Sequence, residues 1–127
     1  MSFKEVENVS RLEPFKRYQY FIKKIADFEE LWTIVDKNGD IGLSDIEGKT
    51  LIPVWPKEAY IKSCLVGNWN RHIPFKLTLD DFEESIISFV SENNYLVNVF
   101  PVGNKTGFVV NLNEFIRDLN EELGQYQ

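Results

Sequence analysis

The sequence predicts an α+β fold: a single-domain sandwich in which a mostly antiparallel sheet of five to six short strands packs against about four helices. Three observations carry this. Apolar residues alternate between strand-like runs and helix-like stripes along the chain. Two prolines, Pro53 and Pro56, mark a strand that turns directly into a helix. The 127 residues are 43% hydrophobic and 14% aromatic, enough for one core without staples.

Residues 1–9 read as a loose tail, and 10–127 as the domain. Pro14 opens a helix whose apolar stripe is Phe15, Tyr18, Ile22 and Ile25, widened by Phe21 and Phe28; Lys16, Arg17, Lys23 and Lys24 take the other side. Leu31 to Val35 is a strand. Asn38-Gly39 is a hairpin turn signal, Ile41 to Ser44 the return strand, and Thr50 to Val54 a third strand, so the three form a meander. After Pro56, Tyr60, Ile61, Cys64 and Leu65 share one helical face, stopped by Gly67-Asn68. Phe75 to Leu77 is a short strand. Thr78 caps a helix carrying Leu79, Phe82, Ile86, Phe89 and Val90 inward. Tyr95 to Phe100 and Phe108 to Val110 form a hairpin around the 102–107 loop. Asn111 caps the last helix, with Leu112, Phe115 and Leu119 inward.

The net charge of −6 works against nucleic acid as a partner, because phosphate binding needs a basic face. No apolar run approaches the roughly 20 residues of a membrane span. The mixed-charge start of the chain carries no apolar signal segment, so the cytoplasm is the expected compartment. The single cysteine, Cys64, excludes an internal disulfide, and burial as a small hydrophobe is its default.

The sharpest motif is Asp36 to Glu47, which has the oxygen spacing of a calcium-binding helix–loop–helix. Ile41 stands where that loop needs glycine, and Gly48 and Pro53 bar the second helix, so a hairpin is the preferred reading and no metal or other cofactor is expected. The only histidine, His72, lies beside Arg71 in a loop with no nucleophile readable next to it; whether it meets Cys64 is open. Asp80-Asp81 and Glu83-Glu84 suit a helix start rather than an acid–base pair.

No catalytic residue is therefore assigned. The first expectation is a non-catalytic protein-interaction module, an acidic, immunity-like inhibitor of a basic partner, with Trp55, Trp69, Arg71 and Phe100 as its contact residues. Trp55 is also explained as a cap on the core. The alternative is a small enzyme or ligand binder with a pocket near the helix that follows Pro56, and calcium binding through the Asp36 hairpin comes third.

Four stretches resemble the signature of a bacterial family catalogued as domain of unknown function 2750. They are Arg17-Tyr18-Gln19-Tyr20-Phe21, Leu31-Trp32, Leu51-Ile52-Pro53-Val54-Trp55-Pro56 and Asn98-Val99-Phe100-Pro101, and the likeness covers about residues 10–125. It implies a small, stand-alone bacterial cytoplasmic protein and supplies no catalytic residues. At the level of fold alone, the chain also resembles the amino-terminal domain of the enhanced-serine-sensitivity group.

Overall fold

The computed structural model describes residues 2–125. It departs from expectation at once, because the segment read as a loose tail forms helix α1, Phe3–Ser10. Ser2 caps it, its hydroxyl accepting from Glu5 N at 3.1 Å. Val9 is buried, and the Tyr20 hydroxyl donates to Glu5 Oε2 at 3.0 Å. A helix of eight residues is marginal alone, so these tertiary contacts decide its state. Helix α2, Pro14–Phe28, starts on its proline and ends at Glu29 in the left-handed region. Tyr18, Phe21, Ile22 and Ile25 are buried as expected, whereas Phe15 and Phe28 are each 50% exposed.

Strand β1, Glu30–Val35, does not begin a meander. Its antiparallel partner is β4, Ile73–Thr78. The return segment after the turn makes only a single bridge, Val35 to Ile41, and a bond from Gly42 N to Ile34 O at 3.0 Å. The turn itself is tied by Asp36 Oδ1, which accepts from Asn38 N at 2.8 Å and Asp40 N at 3.0 Å. These two amides hold the Asp36 carboxyl below its ordinary value. No helix follows, since the Asp36–Glu47 stretch runs instead into strand β2, Ser44–Ile46. Glu47 and Gly48, both at positive φ, then turn it into β3, Lys49–Val54.

The main sheet has the order β2-β3-β5-β6, with β5 at Leu96–Val99 and β6 at Phe108–Val110. Its flanking pairs are antiparallel, as expected, but the central pair β3–β5 is parallel. A parallel pair needs a long crossover, and here it consists of the segment after Pro56, β4 and the helix over 79–92. The helix expected after Pro56 is replaced by three 3-10 turns, Glu58–Tyr60, Lys62–Cys64 and Gly67–Trp69. None has a side-chain cap, and Gly67 at φ +57 interrupts any continuous helix.

Helix α3 covers 79–92 and opens with a reciprocal capping box between Thr78 and Asp81. Its middle, Phe82–Ile86, is in π register. The last helix, α4, is Leu112–Gly124, with Asn111 Oδ1 accepting from Glu114 N at 2.8 Å.

Strand alternation now assigns the two faces of the main sheet. Ile52, Val54, Val97, Val99, Phe108 and Val110 share one face by register and pack on α2 and α4. Phe115 of α4 joins this core against Phe21 and Phe82, with ring centroids 5.9 and 5.4 Å away. Ser44, Leu51, Pro53 and Asn98 share the opposite face. There the two sheets are stitched by reciprocal 2.8 Å bonds between the backbones of Trp32 and Trp55, and Thr33 Oγ1 donates to Pro53 O. Trp32 and Ile34 thus turn their backbone groups away from β4, which leaves Pro74 and Lys76 on the outer edge of that strand. Pro74 has no N–H there, which blunts the edge against further pairing.

Candidate functional site

Strand β5 ends in an elbow that gathers several buried polar groups. Phe100 sits in the left-handed region at φ 61, an uncommon and costly place for a bulky side chain. Four contacts hold it and the next residue. Phe100 N donates to Val54 O at 2.8 Å, and Arg17 Nε donates to Phe100 O at 3.0 Å. Pro101 O accepts from both Trp55 Nε1 at 2.9 Å and Cys64 Sγ at 3.3 Å.

Arg17 is only 6% exposed, and its guanidinium lies 5.8 Å from the centroid of the Phe100 ring. Its Nη1 donates to Leu12 O. Among the described residues no carboxylate lies within ion-pair distance of it, and burial lowers its pKa. Across the hairpin, Gly107 N donates to Asn98 Oδ1 at 2.8 Å. Gly107 lies so close under β5 that a Cβ there would fall 2.1 Å from Val99 O.

A pocket of about 440 Å³ opens above this elbow, on the sheet face away from α2 and α4. Asn98, Ser44, Cys64 and Pro101 form its floor, Trp69 one wall, and the 103–106 loop another. Asn98 is 1% exposed; its Oδ1 is engaged by Gly107, and its Nδ2 finds no acceptor among the described residues. Ser44 Oγ is likewise buried without a partner. Asp45 and Lys105 stand exposed at the rim, with opposite charges. Cys64 is sealed below, and burial pushes its thiol pKa up. Two other depressions exist. One, about 1150 Å³, is a wide, largely apolar trough between α1 and the 3-10 turns. The other, about 380 Å³, runs between α2 and α4 beside the Tyr18–Asp118 hydrogen bond of 2.6 Å. Neither has a buried polar side chain left unpartnered on its wall.

Of the four residues expected to form a contact surface, Trp55 and Phe100 are fully buried, so neither presents a surface. The rigid backbone between Pro53 and Pro56 aims the Trp55 indole inward, where its N–H meets Pro101 O. Trp69 is half-buried, edge-on to Trp55 at 6.0 Å, and its Nε1 donates to Leu43 O at 3.1 Å. Arg71 is exposed. Cys64 and His72 make no hydrogen bond with each other. His72 packs on Gly42 and Ile34, where a Cβ on Gly42 would meet its ring at 2.8 Å, and its Nδ1 is buried without a partner.

Arg17 and Asn98 enter the sequence reading only within stretches that resemble the family signature, not as site residues, although both leave a further trace. Arg17 stands four residues before Phe21 and eight before Ile25, on the apolar stripe rather than opposite it. Asn98 is the polar interruption of an apolar strand run. Ser44 leaves no such trace.

Residues 18–119 match the model of a family described as "Protein of unknown function (DUF2750)". The chain belongs to this family. The DUF2750 match takes in Ser44, Trp55, Cys64, Asn98, Phe100 and Gly107, and it begins one residue after Arg17 and well after α1. No curated protein matches the chain. Among the described residues of this DUF2750 protein, no helix is long and apolar enough to cross a membrane.

The setting of Cys64 gives a direct prediction. A neutral thiol sealed at 1% exposure is expected to react with Ellman's reagent in the native protein at least about tenfold slower than in urea. Equal rates would show that the pocket floor is open at Cys64. Because the folded thiol pKa is raised, the stability it contributes is intact below the unfolded thiol pKa. It is lost as pH rises toward the folded value.

Proposed function

We propose that this chain is a non-catalytic binding protein for a small polar ligand, held in the pocket against the turns that follow Pro56. The observation that carries this reading is the Asn98 amide, buried at the pocket floor with one end fixed by Gly107 and the other free. That donor is not among the sealed atoms and still meets the pocket, so a ligand oxygen seated on it would take a place otherwise left to water. The pocket volume of about 440 Å³ falls in the range of small-molecule sites. Its groups suit holding better than reaction: the Cys64 thiol is kept neutral and already donates to Pro101 O.

The test is a fragment screen by amide NMR on the full chain, with carboxylates, amides, amines and alcohols. Saturable shifts are expected at the Asn98 side-chain amide, Gly107 N–H and Trp69 Nε1–H together. Shifts confined to the trough beside α1, or absent altogether, would reject the assignment.

A protein partner is the second reading. It is favoured by the exposed apolar residues Ile73 and Phe75, at 59% and 47% exposure, which follow the exposed Arg71 in sequence. It retains Arg71 and the outer half of Trp69 from the expected contact set.

A further inference from the structure

We infer that the ligand of this pocket is a small organic carboxylate, seated with its oxygens on Asn98 Nδ2 and Ser44 Oγ in front of the buried Arg17 cation. This rests on the pocket reading above and deepens it.

The first argument concerns polarity at the floor. A backbone N–H can only donate, so the Gly107 bond fixes which end of the Asn98 amide is oxygen and leaves its NH₂ toward the cavity. Ser44 Oγ, also unpartnered, adds a hydroxyl that can donate. The nearby acceptors are engaged: Pro101 O takes two donors, and Leu43 O takes Trp69 Nε1. A ligand atom that reaches Asn98 Nδ2 therefore meets a donor and must itself be an acceptor, and the Ser44 hydroxyl is free to turn its proton toward the same group.

The second argument concerns charge. Arg17 is a buried cation satisfied only by the carbonyls of Phe100 and Leu12. Its bond to Phe100 O places it one residue from Pro101, itself a floor residue. A chain of net charge −6 thus places no acid within ion-pair distance of its most buried cation among the described residues. Lys105 adds a second positive charge at the rim. Asp45 stands on the same rim, but it is exposed and its Oδ1 accepts from Thr50 at 2.8 Å. A single anionic head with two oxygens fits two donors and one buried cation. A phosphate dianion would bring more oxygens than the floor has donors and would face Asp45. The half-buried Trp69 offers its ring to an apolar or planar remainder.

The experiment titrates the full-length chain at neutral pH with benzoate, benzamide and inorganic phosphate, followed by the Asn98, Gly107 and Trp69 amide signals. Benzoate is expected to saturate these shifts with a Kd at least about tenfold below that of benzamide, with phosphate weaker than either. Asn98→Asp keeps the acceptor for Gly107 and replaces the donor, so it should weaken benzoate more than about tenfold. Ser44→Ala, which leaves the elbow untouched, should weaken it several-fold and serves if the first variant fails to fold. Equal binding of benzamide, or preferred binding of phosphate, would overturn the carboxylate and leave the pocket reading standing. If no probe moves the Asn98 and Gly107 signals, both readings fall.

Discussion

Arg17→Ala is expected to lower the stability of the domain by about 3–5 kcal/mol, read as a fall in the urea midpoint at unchanged slope. The guanidinium donates to Phe100 O and Leu12 O and lies against the Phe100 ring. Its removal leaves Phe100 O, deep in the core, without that donor, and hydrogen bonds to charged groups contribute about 1.5–3 kcal/mol each. It also removes a side-chain hydrogen bond that ties α2 to the residue after β5. Phe100, in the left-handed region, depends on such ties to stay there. Arg17→Lys should recover only part of the loss, because a point charge on a flexible stem does not reproduce the two directions of the planar fork. A loss below about 1 kcal/mol for Arg17→Ala, the scale of a surface substitution, would mean that the elbow is held by Val54, Trp55 and Cys64 alone.

The elements that the sequence specifies locally are the ones that match. α2 starts at Pro14, α3 at the Thr78 box and α4 at Asn111, because a cap and an apolar stripe decide such starts within a few residues. The β5–β6 pair follows for the same reason, its strands being near neighbours in the chain, whereas β2 forms at Ser44–Ile46 and not at the expected Ile41 to Ser44. What failed depends on distant partners. β1 finds β4 across some forty residues, because the Asp36 turn leads its return segment away after a single bridge. The 3₁₀ turns after Pro56 show the right apolar face with the wrong pitch: Tyr60, Ile61 and Cys64 are buried, but Gly67 and the missing cap leave nothing to hold a helix together. α1 depends on Tyr20, fifteen residues away.

The candidate site divides along the same line. Trp55 and Phe100 are expected on a contact surface and lie in the core, because proline-flanked aromatics look alike in sequence whether they aim inward or outward. The pocket near the segment after Pro56 was legible as a location. Its floor was not, since Asn98 and Ser44 meet only through the β2-β3-β5 register.

Gly107→Ala is expected to be as damaging as any single methyl group added to this chain. The new Cβ would lie 2.1 Å from Val99 O, 2.7 Å from Phe100 C and 2.8 Å from Phe100 O. All three are backbone atoms of the elbow, so no side chain can rotate out of the way. Relief requires the 102–107 loop to lift from β5, which removes Gly107 N–H from Asn98 Oδ1. The expected loss is about 3 kcal/mol or more, at the upper end for overpacked sites, together with loss of ligand binding in the pocket. Gly103→Ala, four residues earlier in the same loop, is the control. Its φ is +59 with nothing within 4 Å of the added Cβ, so it should cost only about 1 kcal/mol, from the left-handed conformation alone. Comparable urea midpoints for the two variants would show that the loop does not press on β5. The buried Asn98 amide would then lose the neighbour that fixes its orientation.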